Sequence, residues 1–535
     1  MAIYKLAVVI GVDSSSPPSL AEGGGSGVGE DEEILVVQQS APPMLEQEEY
    51  RRYVDSDLWD LPSAPLKVVE DGAAVDEFVV EGADSCSETV DLRKFDVRSA
   101  IDQVMRQVGF LTADNGHWTY GKFAKEPDFG PEPPVHTLFI LGKFKFERKS
   151  IQGSKLSKWI SVQSALKLLL EVNPGGDRIG PLFVTMFFSE ASKAKWKIPP
   201  TFYFQEYPPG VCILPMRSRT IKPFRTTNLL VMTQSEANED VEYSTCVAHG
   251  DALLVDPGCC SEFHAELADI VAALPRKLVV FITHHHYDHI DGLSVIQKCN
   301  PDALLLAHEN TMNRVGKEAW SSSYIKVSDG DKMNIGGEQL RVIFAPGHTD
   351  GHAALLHVSS NSLVVGDHCV GQGSAVLDFR SGGNMKDYFE TTYKFLELSP
   401  HVLIPMHGRI NCWPKSMLCG YLKHRRDREL SILGAIESGA ETLFDILAKS
   451  YSEVDSKFWF AASSNVRLHV DHLAHQGKLP QGFSHERFLA SCRLRFLCCW
   501  VCALLFGVAR RFFSGTVLVT IGLAGIALSC TLYAS

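Results

Sequence analysis

Through the first 410 positions the apolar residues fall in short runs, four to ten long, separated by polar or Gly/Pro-rich stretches; beyond that they recur at helical spacing. Residues 3–12 (IYKLAVVIGV) and 33–38 (EILVVQ) predict two strands, divided by a Ser/Pro/Gly/acid stretch that buries little. The core resumes at 58–66 (LWDLPSAPL). Residues 93–110 predict a helix closing at Gly109, and 135–141 and 180–188 predict strands around a helical SVQSALKLLLEV. Residues 200–225 predict a Pro-rich, basic connector. Then strands are expected at 225–232, 252–258, 278–282, 303–308, 340–348, 352–358, 362–367 and 401–407, with helices at 261–273 and 385–398. Strands alternating with helices predict a layered α/β domain. After residue 412 the pattern predicts three helices, at 415–437, 441–451 and 458–476.

Length and charge refine this picture. A chain of 535 residues holds several domains, and 45% hydrophobic content excludes a disordered protein. The net charge of −12 is concentrated early: residues 1–130 carry 25 acidic against 10 basic side chains, and the remainder is nearly balanced. The acidic balance therefore says little about partners of the later half. Fourteen cysteines show no disulfide-framework spacing, and no charged-then-apolar leader opens the chain, so reduced thiols are expected.

The chemistry is densest at LVVFITHHHYDHIDG (278–292), where an apolar strand gives way to His284, His286, Asp288 and His289. Four metal-capable side chains within six positions at a strand end let one pair point one way and the other pair another, an arrangement suited to two metals. Imidazole and carboxylate fit zinc in catalytic sites that keep an open position for water. Later runs also end near possible ligands: Asp256, the segment APGHTDGH (345–352), Gly366-Asp367 and His407-Gly408.

Together these motifs resemble the metallo-β-lactamase superfamily over about 215–412, and more closely its β-lactamase-like protein 2 endoribonuclease group, through GDHCVGQGSAVLDF after Val365 and Thr227-Asn228. The resemblance implies an αββα sandwich with two Zn2+ ions per chain. It implies that His284, His286 and His348 hold one ion, that Asp288, His289 and His407 hold the other, and that Asp367 bridges both. Asp288 and Asp256 are the expected catalytic residues, Asp256 as an acceptor that fixes a ligating histidine. His285 is expected to face outward, His352 either to orient the site or to have no role in it, and His308, His357 and His401 to be ordinary histidines.

The expected organisation is an N-terminal α/β domain at 1–205, the metal domain at 206–415, a helical cap at 416–485, a juxtamembrane segment at 486–511 and a transmembrane tail anchor at 512–535. The first domain resembles the Nudix fold, but Asp102, Gln103, Arg106 and Gln107 stand where that family has metal-holding glutamates, so it is expected to be non-catalytic. The cap resembles a winged helix, and Arg425, Arg426 and Arg428 are candidate RNA contacts. Residues 512–535 carry no charge, which predicts a single-pass membrane protein with its enzyme facing the cytosol. The expected function is a metal-dependent hydrolase that cleaves single-stranded RNA by a metal-bound hydroxide. The alternatives are a glyoxalase-II-like hydrolase of small thioesters or esters and a membrane-anchored scaffold with an inactive enzyme.

Overall fold

The computed structural model describes residues 2–12, 32–69, 80–81, 90–109, 117–144, 156–173, 175–188, 202–233 and 246–512, except the side chains of Val12, Phe144 and 505–512. Two compact units emerge, the first comprising residues 1–344, 353–372 and 398–416, and the second 345–352, 373–397 and 417–535.

The first unit opens with an eight-stranded sheet. Its strand Ile3–Val12 runs parallel to Val135–Phe144 from Ile3 opposite Val135 to Val12 opposite Phe144. Period-2 burial divides that strand between two cores. Leu6, Val8 and Ile10 meet Ile101, Val104 and Met105 of the helix Val97–Gln107, whereas Ala7 and Val9 face the other way. The Asp96 side chain caps this helix by accepting the Ser99 N–H, and Gly109, at φ +92°, follows its end.

Residues 180–188, expected as a strand, are instead a helix, Pro181–Phe187. A short apolar run does not distinguish the two states by periodicity. Here Pro181 occupies the first helical turn, and the buried Asp60 carboxylate accepts N–H groups from Leu182 at 3.2 Å and Phe183 at 2.8 Å.

A seven-stranded and a six-stranded sheet follow. Leu230, Val255, Phe281 and Leu306 of the first share a core with Met333, Leu340, Leu355, Val364 and Ile404 of the second, so the sheets face each other. Helices His264–Ala273 and Leu293–Cys299 cover the outer side of the seven-stranded sheet. This is a mixed α/β sandwich, as expected for the metal domain. The core extends further: Ala7, Val9, Ile34 and Phe139 of the N-terminal sheet belong to the same packed cluster. The boundary expected at 205/206 falls inside the strand Gln205–Glu206, which pairs with Val211–Arg217. Much of the expected connector is therefore sheet, since Val211–Arg217 pairs along its length with Thr226–Thr233 despite Pro215.

The second unit contains the helices Met385–Leu398, save its last residue, and Leu443–Ser450, Trp459–His475, His485–Ser491 and Leu494–Phe512, and most of Pro414–Glu437. A reciprocal Thr442–Asp445 capping box starts the second of these. Among the described residues after 416 there is no strand that would form a wing.

The expected membrane anchor is corrected. Among the described residues no helix is long and apolar enough to cross a membrane, so neither the expected transmembrane helix nor the tail-anchored localisation built on it is supported. The span 512–535 lies outside the described residues apart from Phe512. The preceding segment packs on the helical module. Phe488, Cys492, Phe496 and Trp500, each four residues apart, pack with Leu443, Ile446, Leu447, Val466 and Val470.

Candidate metal centre

The strand Leu278–Ile282 is buried at every position and ends at Thr283, so the histidine-rich loop leaves a rigid support at a defined point. Beside it, Val255 ends the neighbouring parallel strand and Asp256 takes the left-handed conformation at φ +49°. Asp256 and Thr283 are both fully buried. The Asp256 carboxylate accepts the Thr283 N–H at 2.8 Å, the Thr283 hydroxyl at 2.6 Å and the His289 Nδ1–H at 2.8 Å. Thr283 Oγ1 has one proton and donates it to Asp256, so it accepts from His284 Nδ1 at 2.9 Å. The two histidines are thereby held in the tautomer whose Nε2 lone pair is available. Gly258 makes this approach possible, because a β-carbon there would lie 1.6 Å from the Asp288 carbonyl oxygen.

Ligand-type atoms converge in two groups. In the first unit His284 Nε2 lies 3.0 Å from His286 Nδ1, and His348 is carried by the segment 345–352. The second group is Asp288, His289 and His407. His407 donates Nδ1–H to the Thr226 carbonyl at 2.8 Å, which leaves Nε2 facing Asp288 and Asp367, each 3.4 Å away. Asp367 Oδ2 also stands 3.5 Å from His289 Nε2, so this carboxylate joins the second group.

The electrostatics ask for positive charge. Burial alone would push the His289 and His407 pKa values down, but the nearby carboxylates, Asp367 foremost, outweigh it: His289 is held well above the ordinary histidine range and His407 is raised to about 10. Burial likewise opposes ionisation of Asp288 and Asp367, yet the His289 and His407 charges keep both below the usual carboxylate range. Divalent cations would replace the protons that these histidines otherwise hold. The fit is supported at the atomic level by His289 Nε2, which is fully buried, has no hydrogen-bond partner and faces two carboxylates.

The histidine and carboxylate residues expected as ligands thus gather as two groups, with Asp256 beneath them. Asp256 also groups with His284 and His289, but its oxygens already accept three donors, so hydrogen bonding accounts for that cluster. His285 is half-buried and belongs to neither group. His308 accepts the Asn310 N–H at the start of a short helix, and His357 bonds Ser360, both as ordinary histidines. The three arginines expected to contact RNA each make hydrogen bonds within the second unit. Arg425 is buried, donates to the Ala375 carbonyl at 2.5 Å and to Asn465 at 3.2 Å, and lies over the Tyr388 ring. Arg426 donates to the Tyr393 hydroxyl, and Arg428 donates to the Ser450 carbonyl at 2.7 Å.

Two supporting residues carried no ligand signal. Thr283 sits at a strand end like any β-branched residue, and only the two hydrogen bonds of its hydroxyl identify it. Asn228 stands in the sequence only as part of a motif; its Nδ2 donates to the carbonyls of Pro405 and Gly408, each at 2.8 Å, on either side of His407.

Residues 239–407 match the model of the Metallo-beta-lactamase superfamily. Over 238 residues, 42% of the chain, the sequence is 26% identical to 80% of a Beta-lactamase-like protein 2 homolog of Drosophila melanogaster. A Hydroxyacylglutathione hydrolase of Gloeobacter violaceus is 31% identical over 166 residues, which are 30% of this chain and 57% of that protein. Among solved structures, a metallo-beta-lactamase family protein from Thermus thermophilus covers 50% of this chain and 94% of its own, at 18% identity and a TM-score of 0.41.

Proposed function

From the premise that residues 239–407 form a metallo-beta-lactamase superfamily domain, we propose that this metal-dependent hydrolase uses two zinc ions to cleave single-stranded RNA. The observation that carries the substrate is the surface beside the ligands. Tyr287, between His286 and Asp288, is 62% exposed, and the Arg219 guanidinium lies 5.8 Å from its ring centre. Arg217, Lys222 and Arg225 are exposed on the same connection, and Thr220 Oγ1 stands 3.4 Å from His407 Nε2. An exposed ring supports a stacked base, and the cations suit a phosphate backbone.

When bound, the divalent ions supply Lewis-acid activation of water and neutralise charge developing on the attacked phosphate. The chain supplies orientation. His284, His286 and His348 would hold one ion, and Asp288, His289, His407 and Asp367 the other. Asp256 and Thr283 keep the His284 and His289 lone pairs aimed inward. Asp288, partly exposed beside the buried His289 and His407, orients the attacking water and receives its proton. Arg219 and Tyr287 hold the substrate.

A second reading, thioester hydrolysis, is favoured by the 31% identity to a hydroxyacylglutathione hydrolase. Purified protein incubated with labelled single-stranded RNA and with a glutathione thioester, each beside Asp288→Ala, separates the two. RNA cleavage lost in the variant supports the proposal; thioester turnover without RNA cleavage sinks it.

A further inference from the structure

The loop carrying His407 is held from outside its own domain. After the strand Val402–Pro405 the chain passes through His407 and Gly408 and turns back, and Leu403 and Asn411 exchange backbone hydrogen bonds of 3.0 and 2.9 Å that close the loop at its base. Arg409 lies beyond the metal ligand by two residues. Its Nε and Nη2 donate to the two oxygens of Glu126, at 2.6 and 2.8 Å, in a bidentate pair. Its Nη1 reaches Glu132 at 2.9 Å, and Nη2 also reaches the Pro133 carbonyl at 2.8 Å. All three acceptors come from the N-terminal half. Glu126 in turn accepts the N–H of Val135, the first residue of the strand parallel to Ile3–Val12, so the grip on Arg409 is anchored in the N-terminal sheet.

The remainder of the segment is secured from the same half. Arg178, 3% exposed, donates to the carbonyls of His401 and Cys412. The Asp55 carboxylate accepts the backbone N–H groups of Lys415 and Ser416 at 3.0 Å each. An ordinary surface ion pair contributes little. This one differs in being bidentate, three-quarters covered on the arginine side, and joined to the main chain of a ligand loop that has little freedom of its own.

We propose that Glu126 and Arg409 are positioning residues for His407, so that the N-terminal half tunes the group formed by Asp288, His289 and His407. The inference rests on the metal-site reading above. It assigns the N-terminal half a role that needs no catalysis of its own: the stretch from Glu126 to Pro133 sets where the His407 imidazole stands, while His284, His286 and His348 are carried on other loops, after the strands Leu278–Ile282 and Glu338–Phe344.

The test uses the full-length chain, stripped of metal and titrated with cobalt, read by its visible absorption and by competition with a chelator. Glu126→Gln keeps an acceptor for Val135 and loses the charge pair, and Arg409→Lys keeps charge but loses the fork. Each should weaken one of the two cobalt equivalents by about tenfold, the lower end of the range for partners of metal ligands, and leave the other unchanged. The double variant should be no worse than either single one, because both remove the same link. On a small ester substrate kcat should fall with little change in KM. Variants that lower the melting temperature but bind both cobalt equivalents like the parent would overturn the positioning role. A parent protein that takes up no cobalt would overturn the metal-site reading, and the present inference with it.

Discussion

At the scale of single residues, Thr283 and Asp256 show how a small hydrogen-bond chain can decide the chemistry of a site. Two imidazoles are oriented by one carboxylate and one hydroxyl, all four buried. Thr283→Val keeps the shape and removes the hydroxyl, so His284 loses the acceptor that selects its tautomer. The expected result is a fold that melts within a few degrees of the parent and zinc affinity roughly 10–100-fold weaker, measured by chelator competition. Unchanged affinity would show that packing alone orients His284. Asp288 is predicted to act differently. Because it is a candidate ligand on the short helix Tyr287–Ile290 and partly exposed, Asp288→Ala should abolish hydrolysis and reduce the zinc content while circular dichroism stays near that of the parent.

Arg425 illustrates the opposite lesson at the same scale. In sequence it stands in a run of basic residues and reads as a surface charge. In the structure it lies at an interior face of its helix, hydrogen-bonded to Ala375 and Asn465. Charge patterning alone does not tell which side of a helix a residue occupies, because that depends on the elements packed around it.

At the scale of elements, the helical module after residue 416 is predicted to be acid-sensitive. Burial lowers the His469 pKa from 6.5 to about 4, so the folded state prefers the neutral ring. Burial opposes ionisation of Glu429, but hydrogen bonds from His469 and His472 outweigh it and bring its pKa to about 2. In both cases the unfolded chain binds the proton more tightly. The His469 contribution is complete above pH 6.5 and fades as pH falls toward 4; that of Glu429 is complete above 4.5 and fades toward 2. Thermal melts of the parent and of His469→Leu between pH 7 and 4 should show the parent losing more; equal losses would refute this. Asp60 works in the other direction. Its burial raises the pKa to about 6, so its contribution weakens as pH rises from 3.8 through 6.

The helix Leu494–Phe512 makes an equally concrete prediction. Phe496 is 4% exposed within the core of the helical module, so Phe496→Ala should lower stability by about 3–5 kcal/mol in urea unfolding. A residue that served only a lipid surface would cost almost nothing in aqueous buffer.

At the scale of the whole molecule, the metal content and the N-terminal half are the quantities to measure. Two zinc ions per chain are expected by elemental analysis after reconstitution. The N-terminal half is expected to add no pyrophosphatase activity, because Arg106 and Gln107 are exposed on the helix Val97–Gln107 and supply no carboxylates to magnesium. Magnesium-dependent hydrolysis of nucleoside diphosphate derivatives by the Asp288→Ala protein would contradict this.

What the sequence determined by itself is local. Buried β-strands such as Leu278–Ile282 were legible because a five-residue apolar run bounded by polar residues has few other uses, and the helices Met385–Leu398, Pro414–Glu437 and Trp459–His475 because their periodicity runs over several turns. The candidate ligands were legible because their spacing along the chain is itself chemical information. Only the tertiary structure decided the rest. It turned 180–188 into a helix through a carboxylate distant in sequence, made a pairing strand of Val211–Arg217, and covered Phe488, Phe496 and Trp500 with neighbouring helices. It also joined the N-terminal sheet to the sandwich through one core and tied Arg409 to Glu126 across 283 positions. These outcomes depend on which surfaces meet. Apolar burial is non-directional and a buried carboxylate needs only a donor within reach, so neither leaves a mark on the local pattern that would reveal its partner.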